Sequence, residues 1–259
     1  MFAVELAIED FVWSFSRINS YVTCPKMFFL QYIDKQPSCD NAFSQWGSFG
    51  HSIFEEYYKG NLAIYELGGK YVDEYDKAVT LGFPHNAYVN LGRKYYNTGK
   101  DYFNNFDDPF CDSGIVAVEK EIRVKIGNYN FTGYIDLILK DETGFYIVDH
   151  KSHAKFKNKK EQDEYLRQLY LYAKYIFNTY GVYPYKLVFN MFRSNVIVEE
   201  KFDINKYEKA QQWVVDTIDA IRKDEVFAPN TNEWFCEELC GVRHSCECHN
   251  NKGADICAD

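Results

Sequence analysis

The spacing of apolar and polar residues changes along the chain, and the changes predict an order of helices and strands. Apolar residues first recur at helical spacing, then alternate from Ile115 onward, and later return to helical spacing twice. Cys24-Pro25 divides the first helical stretch, because proline is not accommodated in a helix interior. The predicted helices cover residues 14–33, 45–59, 61–80, 86–105, 161–180 and 205–223, and the predicted strands cover 115–126, 131–140, 145–148, 185–193 and 196–202.

This order predicts an α/β fold in which one mixed β-sheet is flanked by helices. The 259 residues are enough for a sizeable core, and we expect a single domain over 1–259 with elaborations. The elaborations are a helical insertion at 61–110, a cysteine-rich segment at 236–248 that closes as a clasp, and a tail at 249–259.

The predicted hairpin from Phe131 to Lys151 carries charges at unusual points. Asp136 lies inside its first strand, and Asp149 lies near the end of its second. Because strand side chains alternate between faces, Asp149 and Lys151 share one face and His150 points to the other. Charges on a buried sheet face are costly unless they are paired or bind a metal. The pattern therefore predicts a site where a divalent cation holds a phosphate, with Asp136 and Asp149 as ligands.

Several further residues suit the same chemistry. Carboxylate oxygens favour Mg²⁺ or Mn²⁺, and the carbonyl of His150 can add an oxygen. His51, as an imidazole ligand, would shift the preference towards Mn²⁺. Lys151 would hold the attacking water and offset the charge that develops at phosphorus. Glu119 and Glu121 share a face of the preceding predicted strand, and either can add a ligand or an outer contact.

Five segments of the chain follow the order of one known family. They read SRINSYVTCPKMFFLQY, GSFGHSIFEEYYKG, GYID, VDHK and QLYLY. On these segments the chain resembles the RecB-type branch of the PD-(D/E)XK nuclease superfamily, which includes the CRISPR-associated RecB-like exonucleases and many phage nucleases. The likeness extends over nearly the whole chain apart from about 61–110. It implies a restriction-endonuclease-like core and a deoxyribonuclease that depends on Mg²⁺ or Mn²⁺.

The resemblance also assigns roles to individual residues. The implied metal ligands are His51, Asp136, Asp149 and the carbonyl of His150, and the implied catalytic residues are Asp136, Asp149, Lys151, Gln168 and Tyr172. Asp149 stands where many members have glutamate, and the superfamily accepts either acid. Gln168 and Tyr172 are four residues apart on a predicted helix and therefore project side by side, where they would steady Lys151 and the DNA.

The cysteine-rich segment has the spacing C-x3-C-x5-C, formed by Cys236, Cys240 and Cys246. The resemblance assigns a fourth ligand to Cys24 and implies a 4Fe–4S cluster that joins the N-terminal helix to the C-terminal segment. The usual family spacing is C-x2-C, and the first interval here is one residue longer. The alternative is a structural zinc ion, held by these three cysteines and one of Cys248, His244 and His249.

The composition bears on the substrate and on the location of the protein. A net charge of −9 argues against binding of nucleic acid by the whole surface, but residues 151–160 contain five lysines and no acid. Beside the metal site, Lys155, Lys157, Lys159 and Lys160 would bind the DNA backbone, while Phe156 and the many tyrosines would stack on bases. We expect a cytoplasmic protein, since neither a signal peptide nor a transmembrane run of 18 apolar residues is visible.

Two classes of function follow. The first is a metal-dependent DNA exonuclease that hydrolyses phosphodiester bonds in single strands or at DNA ends. It would act in recombination, repair or replication, with a recombination or replication protein as a candidate partner. A nuclease of CRISPR adaptation is a variant, because the same motifs serve it. The second class is a module that keeps the nuclease fold and binds DNA or a partner protein with little catalysis.

Overall fold

The computed structural model of the protein describes residues 8–247. The helices are α1 (Phe15–Thr23), α2 (Pro25–Phe28), α3 (Ala42–Tyr58), α4 (Leu67–Ala78), α5 (Leu91–Asn104), α6 (Lys159–Tyr180) and α7 (Ile204–Lys223). The strands are β1 (Trp13–Ser14), β2 (Gly114–Ile126), β3 (Tyr129–Lys140), β4 (Phe145–His150), β5 (Lys186–Met191) and β6 (Val196–Lys201). Cys248, His249 and the predicted tail at 249–259 lie outside the described residues.

One mixed sheet of six strands confirms the predicted α/β fold. Its order is β1-β3-β4-β5-β6, and β2 also pairs with β3. The pairs β1/β3 and β4/β5 are parallel, whereas β3/β4 and β5/β6 are antiparallel. Strand β1 was not predicted, since two residues are too few to show an alternating pattern.

Local signals set the ends of the elements that carry the candidate site. Helix α1 ends at Thr23 and α2 begins at Pro25, as the Cys24-Pro25 pair predicts. Helix α6 begins after Asn158, whose side chain accepts a hydrogen bond from the Glu161 amide at 3.0 Å. It ends at Gly181, which has a left-handed φ of 75° that glycine adopts without strain.

The described chain falls into two compact units. One consists of the residues up to Asn41, Lys125–Thr132 and the residues from Gln211, and the other of Ala42–Val124 and Gly133–Ala210. The expected single domain stays a prediction. Among residues 8–247, no helix combines the length and the apolar character needed to cross a membrane.

The helices of the predicted 61–110 insertion contribute to the core of the second unit. Tyr71 on α4 and Tyr102 on α5 are buried in the same apolar cluster as Val148 of β4 and Val188 of β5. Burial of such large aromatic side chains stabilises a domain by apolar contact. The insertion is therefore an integral part of this unit's core.

Candidate metal centre and cysteine cluster

The register of β3 against β4 brings the two acids of the hairpin together. Leu137 pairs with Val148, so Asp136 and Asp149 each stand one residue beyond a paired position. The turn between the strands is held by Asp141, whose carboxylate accepts hydrogen bonds from the Thr143 and Gly144 amides at 2.6 and 3.2 Å. A local turn thus fixes the register that places both carboxylates at one end of the hairpin.

Both carboxylates are buried, with Asp149 only 3% exposed. One oxygen of Asp136, Oδ2, accepts a hydrogen bond from the His150 amide at 2.7 Å and lies 3.3 Å from His51 Nδ1. Burial and then the charge of Asp149 raise the pKa of Asp136 well above its usual range. The two buried acids therefore repel each other, and a divalent cation would remove that repulsion.

Lys151 compensates part of this charge. Its Nζ lies 2.7 Å from Asp149 Oδ2 as an ion pair. This is the length of a charge-assisted contact, so Lys151 offsets the charge of one of the two buried acids. A second buried carboxylate beside such a pair suits a cation ligand. The acids of the hairpin therefore fit a hard divalent cation.

The closest group of candidate ligands adds a residue that the sequence left optional. Within residues 8–247, His51, Glu119 and Asp136 are the set of three whose ligand atoms all lie within 4.8 Å of one another. Glu119 has a left-handed φ of 48° within β2, which interrupts the regular alternation of that strand. Glu121 is exposed instead and pairs with Arg123 at 2.8 Å. The structure therefore favours Glu119 over Glu121 as the added ligand.

The charge states of this group also suit metal binding. The pKa of His51 is lowered, chiefly by burial, so its imidazole is neutral at pH 7 and can offer a lone pair. Burial, followed by the charge of Asp136, raises the pKa of Glu119 to about 7. A cation would stabilise the ionised carboxylate of Glu119, because an adjacent opposite charge favours the charged form.

Gln168 and Tyr172 on α6 form a hydrogen-bonded chain to the lysine. Lys151 Nζ donates to Gln168 Oε1 at 3.0 Å, and Gln168 Nε2 donates to the Tyr172 hydroxyl at 3.1 Å. A Cβ on Gly133 would stand 2.5 Å from the ring of Tyr172, so only glycine fits there. Gln168 and Tyr172 therefore position the ammonium of Lys151, and Gly133 leaves room for them.

Sequence reasoning missed two residues that border this site. Asn190 on β5 is buried and contacts His150, although 40 residues separate them. It shows no signal in the sequence, because only the pairing of β4 with β5 brings it close. Tyr134 on β3 is 56% exposed and shares a strand face with Asp136, two residues further on. Tyr134 is part of the GYID segment, but the sequence did not indicate that its side chain is exposed beside the site.

The four predicted cluster cysteines line one cavity. Cys24, Cys236, Cys240 and Cys246 surround it together with Met27, Leu30 and Asn230. The pKa of the Cys240 thiol is raised to about 11, first by burial and then by the other three thiols. The amides of Met27 and Asn230 donate to Cys24 Sγ at 3.4 and 3.2 Å. These two hydrogen bonds hold the Cys24 sulfur in place at the edge of the cavity.

The lining of the cavity bears on the zinc alternative. Cys24, Cys236, Cys240 and Cys246 line it, whereas His244 is exposed and does not line it. His244 is therefore disfavoured as a zinc ligand, and the other two candidates, Cys248 and His249, lie outside the described residues. The four cysteines are of a kind that can hold either a 4Fe–4S cluster or a zinc ion.

The C-x3-C spacing has a structural explanation. Cys236 and Cys240 are joined by a π-helical turn over Phe235–Leu239, in which the Cys240 amide donates to the Phe235 carbonyl at 2.9 Å. A π-helical turn holds one residue more than an α-helical turn. The π-helical turn therefore accommodates the one residue by which C-x3-C exceeds the usual C-x2-C spacing.

The lysine-rich segment has mixed surroundings. Lys155, Lys157, Lys159 and Lys160 are all exposed, but Lys159 forms an ion pair with Glu200 at 3.0 Å. Phe156 is half-buried, and its ring packs against those of Tyr165 and Phe189, each with a centroid separation of 5.3 Å. The exposed lysines suit contact with phosphate, whereas Phe156 is engaged within the protein.

Comparison with known proteins gave one family. A family model described as the PD-(D/E)XK nuclease superfamily matches residues 12–247. A search of curated proteins found no match. A solved structure titled "Crystal structure of SSO0001" is similar at 14% identity over 96% of both chains, with a TM-score of 0.38, and we draw nothing further from it.

Proposed function

The chain belongs to the PD-(D/E)XK nuclease superfamily, which implies a metal-dependent nuclease, and on this premise we propose that it is a DNA exonuclease of the RecB-like branch. It would hydrolyse phosphodiester bonds in single strands or at DNA ends, during recombination, repair or replication. The observation that supports this most directly is the pair of buried carboxylates, Asp136 and Asp149, with the Lys151 ammonium 2.7 Å from Asp149 Oδ2.

Each residue of the site has a role in this proposal. Asp136, Asp149, His51, Glu119 and the His150 carbonyl would hold Mg²⁺ or Mn²⁺, with the imidazole favouring Mn²⁺. The bound ion would lower the pKa of water and neutralise the phosphate. Lys151, held by Gln168 and Tyr172, would orient the attacking water and offset the negative charge that develops at phosphorus. Lys155, Lys157, Lys159 and Lys160 would bind the backbone of the DNA strand.

The proposal is tested by incubating the purified protein with labelled DNA and Mn²⁺. We expect linear single strands to be shortened from an end, circular single strands to persist, and EDTA to stop the reaction. Cleavage of the circular strand would contradict the exonuclease assignment and leave the nuclease assignment standing. Binding of DNA without any cleavage, in the presence of Mg²⁺ or Mn²⁺, would favour the binding module instead.

Tyr134 gives a prediction about the substrate. Its exposed ring, beside Asp136 on the same strand face, offers a surface on which a base can stack. Replacing Tyr134 by alanine should raise KM for single-stranded DNA, because stacking on an aromatic side chain is worth about 1–3 kcal/mol per base. The turnover number should change less, since Tyr134 holds no reacting atom.

The matched control for Tyr134 is Tyr65, which is 85% exposed on the turn Ile64–Glu66. Steady-state kinetics of Tyr134→Ala and Tyr65→Ala on one oligonucleotide separate a local subsite from a general loss of aromatic surface. An equal rise of KM in both variants, or no rise in either, would contradict the stacking role.

We also propose a 4Fe–4S cluster on Cys24, Cys236, Cys240 and Cys246. Anaerobically purified protein should then be brown and contain iron and sulfide, and Cys240→Ser should lose the colour and melt at a lower temperature. Cys111→Ser is the control, because Cys111 is an exposed free thiol. Elemental analysis that finds stoichiometric zinc in a colourless protein would overturn this assignment and favour the zinc alternative.

A further inference from the structure

A chain of buried polar side chains runs from helix α5 to the candidate metal centre. The Tyr102 hydroxyl donates to Asn190 Oδ1 at 3.1 Å, and Asn190 Nδ2 lies 3.1 Å from His150 Nδ1. All three side chains are buried, and Asn190 is 1% exposed. Since Oδ1 accepts from Tyr102, the amide group turns its N–H donors towards His150, whose Nδ1 accepts. The hydroxyl of Tyr102 thus fixes the orientation of the Asn190 amide.

The backbone of Asn190 acts on the same residue from a second direction. Its carbonyl accepts a hydrogen bond from the Lys151 amide at 2.8 Å. This amide belongs to the trans peptide group whose carbonyl is that of His150. In a planar trans peptide the N–H and C=O point in opposite directions. The bond to Asn190 therefore sets the direction of the His150 carbonyl, the oxygen proposed as a metal ligand.

The imidazole of His150 is fixed by packing as well. The ring of Phe54 stacks on it, with centroids 4.1 Å apart and planes inclined by 8°. Phe54 lies on α3, three residues after His51, so one helix supplies both a candidate ligand and this stacking ring. The imidazole of His150 is therefore held by Asn190 and Phe54. The part of His150 proposed to contact the metal is its backbone carbonyl.

We propose that Tyr102 and Asn190 are positioning residues for the carbonyl of His150, and that the helical region at 61–110 thereby sets the metal affinity of the site. The inference rests on the proposed metal-dependent function. Neither Tyr102 nor Asn190 lies in the five segments on which the chain resembles the RecB-type branch. We therefore expect a substitution of Tyr102 on α5 to lower the affinity for the metal ion as well as the stability of the protein.

The test compares two variants that each remove one buried hydroxyl from the 61–110 region. Tyr102→Phe removes the donor to Asn190. Tyr71→Phe is the matched control, because the Tyr71 hydroxyl accepts from Trp46 Nε1 at 2.9 Å and has no described link to His150. Both variants should melt at a lower temperature than the wild type. Only Tyr102→Phe should bind Mn²⁺ more weakly, by roughly tenfold, the lower end of the effect of outer contacts on metal sites.

Isothermal titration of the full chain with Mn²⁺, without DNA, measures the affinity. Nitrogen-15 chemical shifts of the His150 ring in the metal-free protein give a second readout, which should move in Tyr102→Phe and stay constant in Tyr71→Phe. Wild-type affinity in Tyr102→Phe, or equal weakening in both variants, would overturn the inference. A wild type that does not bind Mn²⁺ would refute the proposed metal centre, and an unchanged His150 shift would separately refute the link from Tyr102.

Discussion

Replacing Lys151 by alanine is expected to slow DNA cleavage by about 10²–10³-fold, the range found on removal of one donor that stabilises the charge of a transition state. The ammonium lies 2.7 Å from Asp149 Oδ2 and donates to Gln168 Oε1 at 3.0 Å, so its place is fixed from two sides. Initial rates on an end-labelled single strand with saturating Mn²⁺ measure the loss. Binding of Mn²⁺ should persist, because the carboxylates of Asp136 and Asp149 remain.

The stability of the same variant should depend on the metal. Without Lys151 the buried carboxylate of Asp149 has lost its positive partner, and breaking a buried pair costs about 3–5 kcal/mol. The metal-free variant should therefore melt well below the wild type, and Mn²⁺ should restore much of the difference. Lys209→Ala, at an exposed position on α7, is the control and should change neither rate nor stability. Cleavage by Lys151→Ala at the wild-type rate would reject the catalytic role.

Replacing Gly133 by alanine should cost about 10²-fold in cleavage rate, the scale of a displacement of about 1 Å in an active site. The new Cβ would stand 2.5, 2.8 and 2.8 Å from Cε1, Cζ and the hydroxyl oxygen of Tyr172. We expect the buried ring to move away from this Cβ and to weaken its hydrogen bond from Gln168, which in turn holds Lys151. Overpacking of this kind also destabilises a core by about 1–3 kcal/mol.

Two variants make the Gly133 prediction specific. Gly69→Ala on α4 is the matched control, because a Cβ there meets nothing within 4 Å. In a helix, this change should stabilise by up to about 1 kcal/mol and leave the rate unchanged. Adding Tyr172→Leu to Gly133→Ala should recover stability by relieving the clash, but should not recover cleavage, because Gln168 still lacks its partner. A wild-type turnover number in Gly133→Ala would show that Tyr172 does not position Lys151.

The features that the sequence predicted correctly are those set by neighbours in the chain. Alternation over β3 and β4 and the turn at Asp141 are local, so the hairpin that carries Asp136 and Asp149 followed from spacing alone. Helical spacing likewise placed Gln168 beside Tyr172. The break at Cys24-Pro25 follows from the chemistry of proline.

The features that only the tertiary structure decided depend on segments far apart in the chain. The sequence treated Glu119 and Glu121 alike, because regular alternation puts both on one face, and the left-handed backbone at Glu119 separates them. Asn190 and Tyr102 meet His150 through the β4–β5 pairing and the packing of α5 in the core. Such contacts bring together residues whose distance along the chain carries no information about their separation in space. The physical reason is that local periodicity specifies which face of an element is buried, while the packing of the whole core determines what that face meets.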